Sequence, residues 1–286
     1  LVRVWRIGLG RRKLILDRTG SVESRTVDPH QLSRRSAFKS LLPGAVVSAK
    51  LVTQSKEARA SEGGNPFVSV EKYSTNRGQP ILVDPVYFTG NNFMGKRLAG
   101  YDARKSWTYP AIIAKLMRLN EGFRTAQVQI LVKDAYRPVR ASEEMMVWGR
   151  EMETRTGEKY VGKWVSYINK PENKYSGHNY GRSIDLTFAT LEGQEIWMGS
   201  NFDEFSTNSY LDKPRAKQSG DDKWAFSGRG YANYTKHTAH ELRHMLRNAM
   251  GSLNFTPYSK AEERTAEWWH FTDYGYPKTP YDDPIA

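Results

Sequence analysis

The sequence contains no cysteine. No disulfide can staple it, so its 286 residues must rely on a packed core, and any metal it holds must be bound by histidine and carboxylate. Long apolar runs are missing too: no stretch approaches the ~18 apolar residues of a membrane span, so stable membrane insertion is not expected. Nor is there a stripe of basic residues interleaved with aromatics, which removes nucleic acid from the expected partners despite a formal net charge of +12. Acidic residues are scarce in one place only. Residues 1–60 hold 13 Lys/Arg and 4 Asp/Glu, a net of +9, whereas the other 226 hold 30 and 27, a net of +3.

That basic segment reads as targeting sequence. Ser33-Arg34-Arg35-Ser36-Ala37-Phe38-Lys39 resembles a twin-arginine export signal, and a modestly apolar run follows from Ser40 to Val52. Ala58-Arg59-Ala60 has the small-x-small form of a cleavage site, with Ser61 as the new N-terminus. Export, to a periplasm, is the expectation; a basic tail on a cytosolic protein is the alternative. Residues 61–80 are polar and rich in Gly, Asn and Pro, as in a linker. The functional domain is therefore expected over 81–286.

Within it, the spacing of Ile112, Ile113, Leu116, Met117 and Leu119 predicts a helix over 109–123. Val128, Ile130 and Val132 alternate as in a half-buried strand that runs into Asp134-Ala-Tyr-Arg137-Pro138. Pro138 starts another helix, to about Thr156, with Met145, Met146, Trp148 and Met152 as its packing face. Ile81 to Tyr101 holds short apolar pieces broken by turn formers and reads as a loop with a strand end, and 206–234 as a surface excursion. Lys236 to Met250 is helical, its apolar side carrying Leu242, Met245, Leu246, Ala249 and Met250.

Two sets of residues could hold a metal. His240-Glu241-Leu242-Arg243-His244 is a literal HExxH, which would bind zinc through two histidines with Glu241 as base. It is a short pattern among many charges, and its apolar residues lie on another side. The rival set starts at Ser176-Gly-His178-Asn-Tyr-Gly181-Arg-Ser-Ile-Asp185-Leu-Thr-Phe188. A strand from Ile184 would bury Ile184, Leu186 and Phe188 and turn Asp185 to the opposite face, beside the loop carrying His178. One imidazole and one carboxylate leave zinc under-coordinated, and His270 in Glu267-Trp268-Trp269-His270-Phe271 is the favoured third ligand. Glu267 precedes His270 by three residues, so both reach one face only if the backbone turns or bulges at Trp268–Trp269. Arg137, before a proline at a strand end, is placed to project into a cleft; taken without the other motifs, a surface arginine paired with a nearby acid is the simpler reading.

With these residues together, the chain resembles the zinc D-alanyl-D-alanine dipeptidases, the VanX-like family within the group sharing the hedgehog and DD-peptidase fold. The matching pieces are Tyr87-x-Thr89-x-x-Asn92-Phe93-x-Gly95, Gly100-Tyr101, Asp134-x-Tyr136-Arg137-Pro138 and Ser176-x-His178-x-x-Gly181-x-x-x-Asp185-Leu-Thr187. Met198-Gly199-x-x-Phe202-Asp203, Arg243-x-Met245-Leu246-x-x-x-Met250 and Glu267-Trp268-Trp269-His270-Phe271 complete them. The resemblance implies an α+β domain, a small antiparallel sheet flanked by helices, and one Zn2+ per chain on His178, Asp185 and His270. It implies Glu267 as general base and acid and Arg137 as transition-state stabiliser, with Ser176, Tyr87 and Asp203 near the substrate. That substrate would be D-alanyl-D-alanine or a similar cell-wall dipeptide. A DD- or LD-carboxypeptidase acting on peptidoglycan stems and a non-catalytic, zinc-containing wall-binding module are the alternatives. Asn91 where Asp is common, Ala135 where Gly is common, and the long 206–234 excursion depart from the family pattern. Oligomeric state is not legible.

Overall fold

The computed structural model describes residues 13–16, 22–25, 65–168, 174–214, 237–257 and 267–286. The chain divides into two compact units, Leu1–Lys56 and Glu57–Ala286. In the first, β1 (Lys13–Leu16) pairs antiparallel with β2 (Val22–Arg25), a hairpin that the targeting reading does not anticipate. The arginine pair and the Ala58–Ala60 tripeptide lie outside the described residues.

The second unit is α+β. Its five-stranded sheet runs in the order β4 (Leu82–Val83), β6 (Val128–Asp134), β7 (Ser183–Thr190), β9 (His270–Thr272), β8 (Thr256–Pro257). The expected antiparallel pairing holds from β6 through β8, but β4 joins β6 in parallel. The sheet is therefore mixed. A second pair, β3 (Val68–Ser69) with β5 (Trp107–Thr108), is antiparallel. The helices are α1 (Val70–Thr75), α2 (Pro110–Arg124), α3 (Val139–Thr156) and α4 (Ala239–Ser252). Among the described residues no helix is long and apolar enough to cross a membrane.

Strand β6 is buried along its whole length, not half-buried as its alternation predicts. Val128, Ile130 and Val132 join the hydrophobic core, and α2 supplies Ile112, Ile113 and Leu116 to the same core. Helix and strand are also tied by a polar contact, the Ile130 amide donating to Asn120 Oδ1 at 2.9 Å. The polar residues on β6 are satisfied pairwise: the Lys133 ammonium, 1% exposed, meets Glu195 at 2.8 Å and Asp84 at 3.2 Å. Partners rather than solvent allow a charged residue on a central strand. In α3 only Met145 of the expected packing face is buried. Met146, Trp148 and Met152 are half-buried, because the helix turns Ala141, Ser142 and Gly149 inward.

Residues 65–80, expected within a linker, are folded. Val70 opens α1 in the core, and the Phe67 ring packs on Tyr109, Tyr136 and Tyr281 with centroids 4.7–5.0 Å away. The composition of this stretch is polar, but two large apolar side chains anchor it. Phe67 also fills the space beside Gly181, whose φ of +64° and lack of a Cβ are both required there.

Candidate metal centre

Three neighbouring strands bring one row of residues to a single end of the sheet. Asp185 on β7 is the cross-strand partner of Asp134 on β6 and of His270 on β9. The β6–β7 register shifts between Val132 and Asp134, a bulge that turns the end of β6. His178 arrives from the 3₁₀ turn Gly177–Tyr180, which Ser176 caps and which ends at Gly181 in the left-handed region. A Cβ on Gly177 would collide with Ser183 Oγ, so the turn lies tight against the start of β7.

The candidate ligand atoms converge. His178 Nε2 is 3.2 Å from Asp185 Oδ2 and 3.1 Å from His270 Nδ1, which is 2.9 Å from Asp185 Oδ1. Zinc bonds of ~2.0–2.1 Å in a tetrahedron would set ligand atoms about 3.3 Å apart, so these separations suit a metal of that size. The outer hydrogen bonds suit it as well. His178 Nδ1 lies 2.6 Å from the Ala135 carbonyl, which can only accept, so Nδ1 carries a proton and Nε2 is the nitrogen that would face a metal. His270 Nε2 meets Thr272 Oγ1 at 3.2 Å, and Thr272 Oγ1 meets Ser183 Oγ at 2.7 Å. The contact from Ala135 is through its backbone, so alanine in place of glycine costs it nothing. Burial opposes charge on Asp185, but the two imidazoles more than offset this and hold its carboxyl well below the usual range.

A turn occupies Trp268–Trp269, with the His270 amide pointing back to the Glu267 carbonyl at 3.5 Å. This is the irregularity that the three-residue spacing requires, and Glu267 and His270 both line one cleft of about 40 Å³. Arg137, Tyr87, Ser176 and Asp203 line it too, between aromatic walls from Phe93, Trp164 and Phe205. A second cavity of about 260 Å³ shares Ser166, Ser176 and His270 with the first. Burial raises the Glu267 carboxyl to about 8, the nearby His270 working the other way.

The other metal set is displaced from this cleft. His240 and His244 lie on α4 with Asp212, largely exposed, and are absent from the cleft lining. Glu241 is engaged in capping its own helix: its Oε2 accepts from the Thr238 amide at 2.8 Å, and its amide donates to Thr238 Oγ1 at 3.2 Å.

The profile of the D-ala-D-ala dipeptidase family matches residues 78–286. The chain belongs to that family. It is similar to a D-alanyl-D-alanine dipeptidase of Streptomyces coelicolor, 30% identical over 216 residues that cover 72% of this chain and 93% of the relative. A D-alanyl-D-alanine dipeptidase of Enterococcus faecium is 28% identical over 210 residues, 71% of this chain and 91% of its own, and one of Enterococcus faecalis is also 28% identical. Family membership makes the chain an enzyme of metallopeptidase type.

Within this dipeptidase-family cleft the polar groups form one network. The Tyr87 hydroxyl donates to Asp203 Oδ2 at 2.6 Å. Burial raises the Asp203 carboxyl to about 7, against the pull of that hydroxyl. The Arg137 guanidinium stands 4.9 Å from the centre of the Tyr87 ring. Arg137 does pair with an acid, as its simpler reading held, and it lines the cleft as well: Nε and Nη2 donate to Asp134 Oδ2 at 3.0 and 2.8 Å.

Asp134 is the residue for which sequence reasoning had no role. Besides Arg137 it accepts the Tyr101 hydroxyl at 2.7 Å, and Oδ2 is 3.4 Å from His178 Nδ1. An acid three residues before the arginine was the available signal; its other two partners are remote in sequence. Asn179 was missed likewise. Its side chain donates to the Arg137 carbonyl at 2.9 Å and to Ser142 Oγ at 3.0 Å, and its Oδ1 accepts the Ser176 amide at 2.9 Å.

Proposed function

We propose that this enzyme is a zinc-dependent dipeptidase that hydrolyses D-alanyl-D-alanine or a similar small cell-wall dipeptide. The observation that carries the reading is the convergence of His178, Asp185 and His270 in the cleft that Glu267 and Arg137 also line. His178 Nε2, Asp185 and His270 Nδ1 would hold the metal, two nitrogens and one oxygen. When bound, zinc supplies a water acidified to a pKa of about 7 and polarises the substrate carbonyl.

The chain's own residues do the rest. Glu267, which lines the cleft beside His270, would take a proton from water and return it to the departing amine nitrogen. Arg137, fixed by two hydrogen bonds to Asp134, offers its remaining donors to the carbonyl oxygen as negative charge develops there. Asp203, Tyr87 and Ser176 would orient the substrate, and the small, aromatic-walled cleft supports a short one. A purely structural zinc would need neither Glu267 nor Arg137.

A DD- or LD-carboxypeptidase is the second reading, supported by the cavity of about 260 Å³ that continues past Ser176 and His270. The α+β unit would be a hedgehog/DD-peptidase-like fold. Ser33–Lys39 and Ala58–Ala60 support export by the twin-arginine route. A hydrolysis panel separates the substrate readings. Free D-alanyl-D-alanine should be cleaved and N-blocked or extended peptides spared; the reverse preference would select the carboxypeptidase.

A further inference from the structure

The HExxH motif has no part in the cleft, yet its two histidines do not stand alone. His240 and His244 are one helical turn apart on α4, with ring centroids 4.4 Å apart. Asp212 comes to them from the segment before the helix: its Oδ1 is 2.7 Å from His244 Nε2 and 3.7 Å from His240 Nε2. These two distances straddle the ~3.3 Å expected between ligands on a tetrahedral zinc.

The trio is held by something other than its own contacts. Arg243, fully buried on the neighbouring face of the same turn, donates to the carbonyls of Asn208, Tyr210 and Met198 and to Ser200 Oγ. One guanidinium thus fastens the segment bearing Asp212 to the helix bearing both histidines. A site whose ligands sit on elements already fixed to each other loses little entropy on binding. Glu241 caps the helix instead, so it does not serve the trio as the base of a zincin centre.

We propose that His240, His244 and Asp212 form a second site, for zinc or a similar borderline divalent cation, that clamps the 206–212 segment to α4. Two imidazole nitrogens and one carboxylate oxygen favour Zn2+, Ni2+ or Cu2+ over Mg2+ and Ca2+, which prefer all-oxygen shells. Binding replaces the proton shared between His244 and Asp212. The clamped segment matters to the fold because Tyr210 bridges to Glu267 and the Trp268 amide donates to the Ser209 carbonyl at 3.2 Å.

The test is a zinc titration of the chelator-stripped full chain by calorimetry, with metal analysis after dialysis. The parent should bind two equivalents. His240→Ala/His244→Ala should bind one, and so should His178→Ala/His270→Ala, which keeps this site and loses the other. The second equivalent should raise the Tm of the parent but not of His240→Ala/His244→Ala, and Mg2+ should not substitute for it. If that double variant does not fold, Asp212→Asn serves instead, with second-site affinity expected to fall at least about tenfold. Equal stoichiometry in the parent and in His240→Ala/His244→Ala, or an unchanged second-site affinity in Asp212→Asn, would overturn the site. Loss of the other equivalent in His178→Ala/His270→Ala reports separately on the buried centre.

Discussion

Asp134 and Asp185 face each other across strands β6 and β7, and each carboxylate organises a different half of the cleft. Asp185 gathers the two imidazoles, while Asp134 holds Arg137 and Tyr101. Two acids so close would repel each other if unshared; the cations and donors around each relieve this.

Asp134 acts through Arg137, so Asp134→Asn should behave as a positioning defect. We expect kcat to fall about 10–100-fold with KM little changed and the buried metal retained. Arg137→Ala should be more severe, about 10²–10³ in kcat, the usual cost of losing one donor to a developing oxyanion. Steady-state kinetics beside metal analysis checks both. An unchanged kcat in Arg137→Ala would remove the arginine from the reaction.

Glu267 and Asp203 predict a pH dependence of stability in the metal-free protein. Burial raises their carboxyls to about 8 and about 7, whereas in the unfolded chain both titrate near 4. Between these limits the native state holds protons that the unfolded chain has released, so stability falls as pH rises from about 4 to about 8. Glu267→Gln, which mimics the protonated acid, should gain over the parent through this window and level off above it. Denaturant titrations in chelator at pH 5, 7 and 9 measure the difference; a gap that narrows with rising pH would contradict the assignment.

Away from the cleft, Lys133→Ala would leave Glu195 buried without its cation and Asp84 with Arg104 alone. Breaking such a group costs about 3–5 kcal/mol, read as a lower denaturation midpoint. A loss below about 1 kcal/mol would mean that the group does not depend on Lys133, with Arg104 holding Asp84 and water solvating Glu195.

Much of this was legible in the sequence because it depends on local pattern. Helix α3 begins and ends where its proline and the pattern to Thr156 put it, and the turn at Trp268–Trp269 follows from needing Glu267 and His270 on one side. The parallel edge strand β4 was not legible, since two residues carry no sign of strand direction. Phe67 and Val70 were hidden in a polar stretch, because a single anchor seated beside a glycine remote in sequence leaves no periodicity. Asp134 was visible only as a neighbour of Arg137; its contacts with Tyr101 and His178 exist only after folding.

The most direct test of the account is a zinc-edge anomalous difference map from crystals of the metal-loaded enzyme. A peak is expected within bonding distance of His178 Nε2, the Asp185 carboxylate and His270 Nδ1, with or without a second peak at Asp212. An active, zinc-loaded enzyme whose only peak lay between His240 and His244 would contradict it.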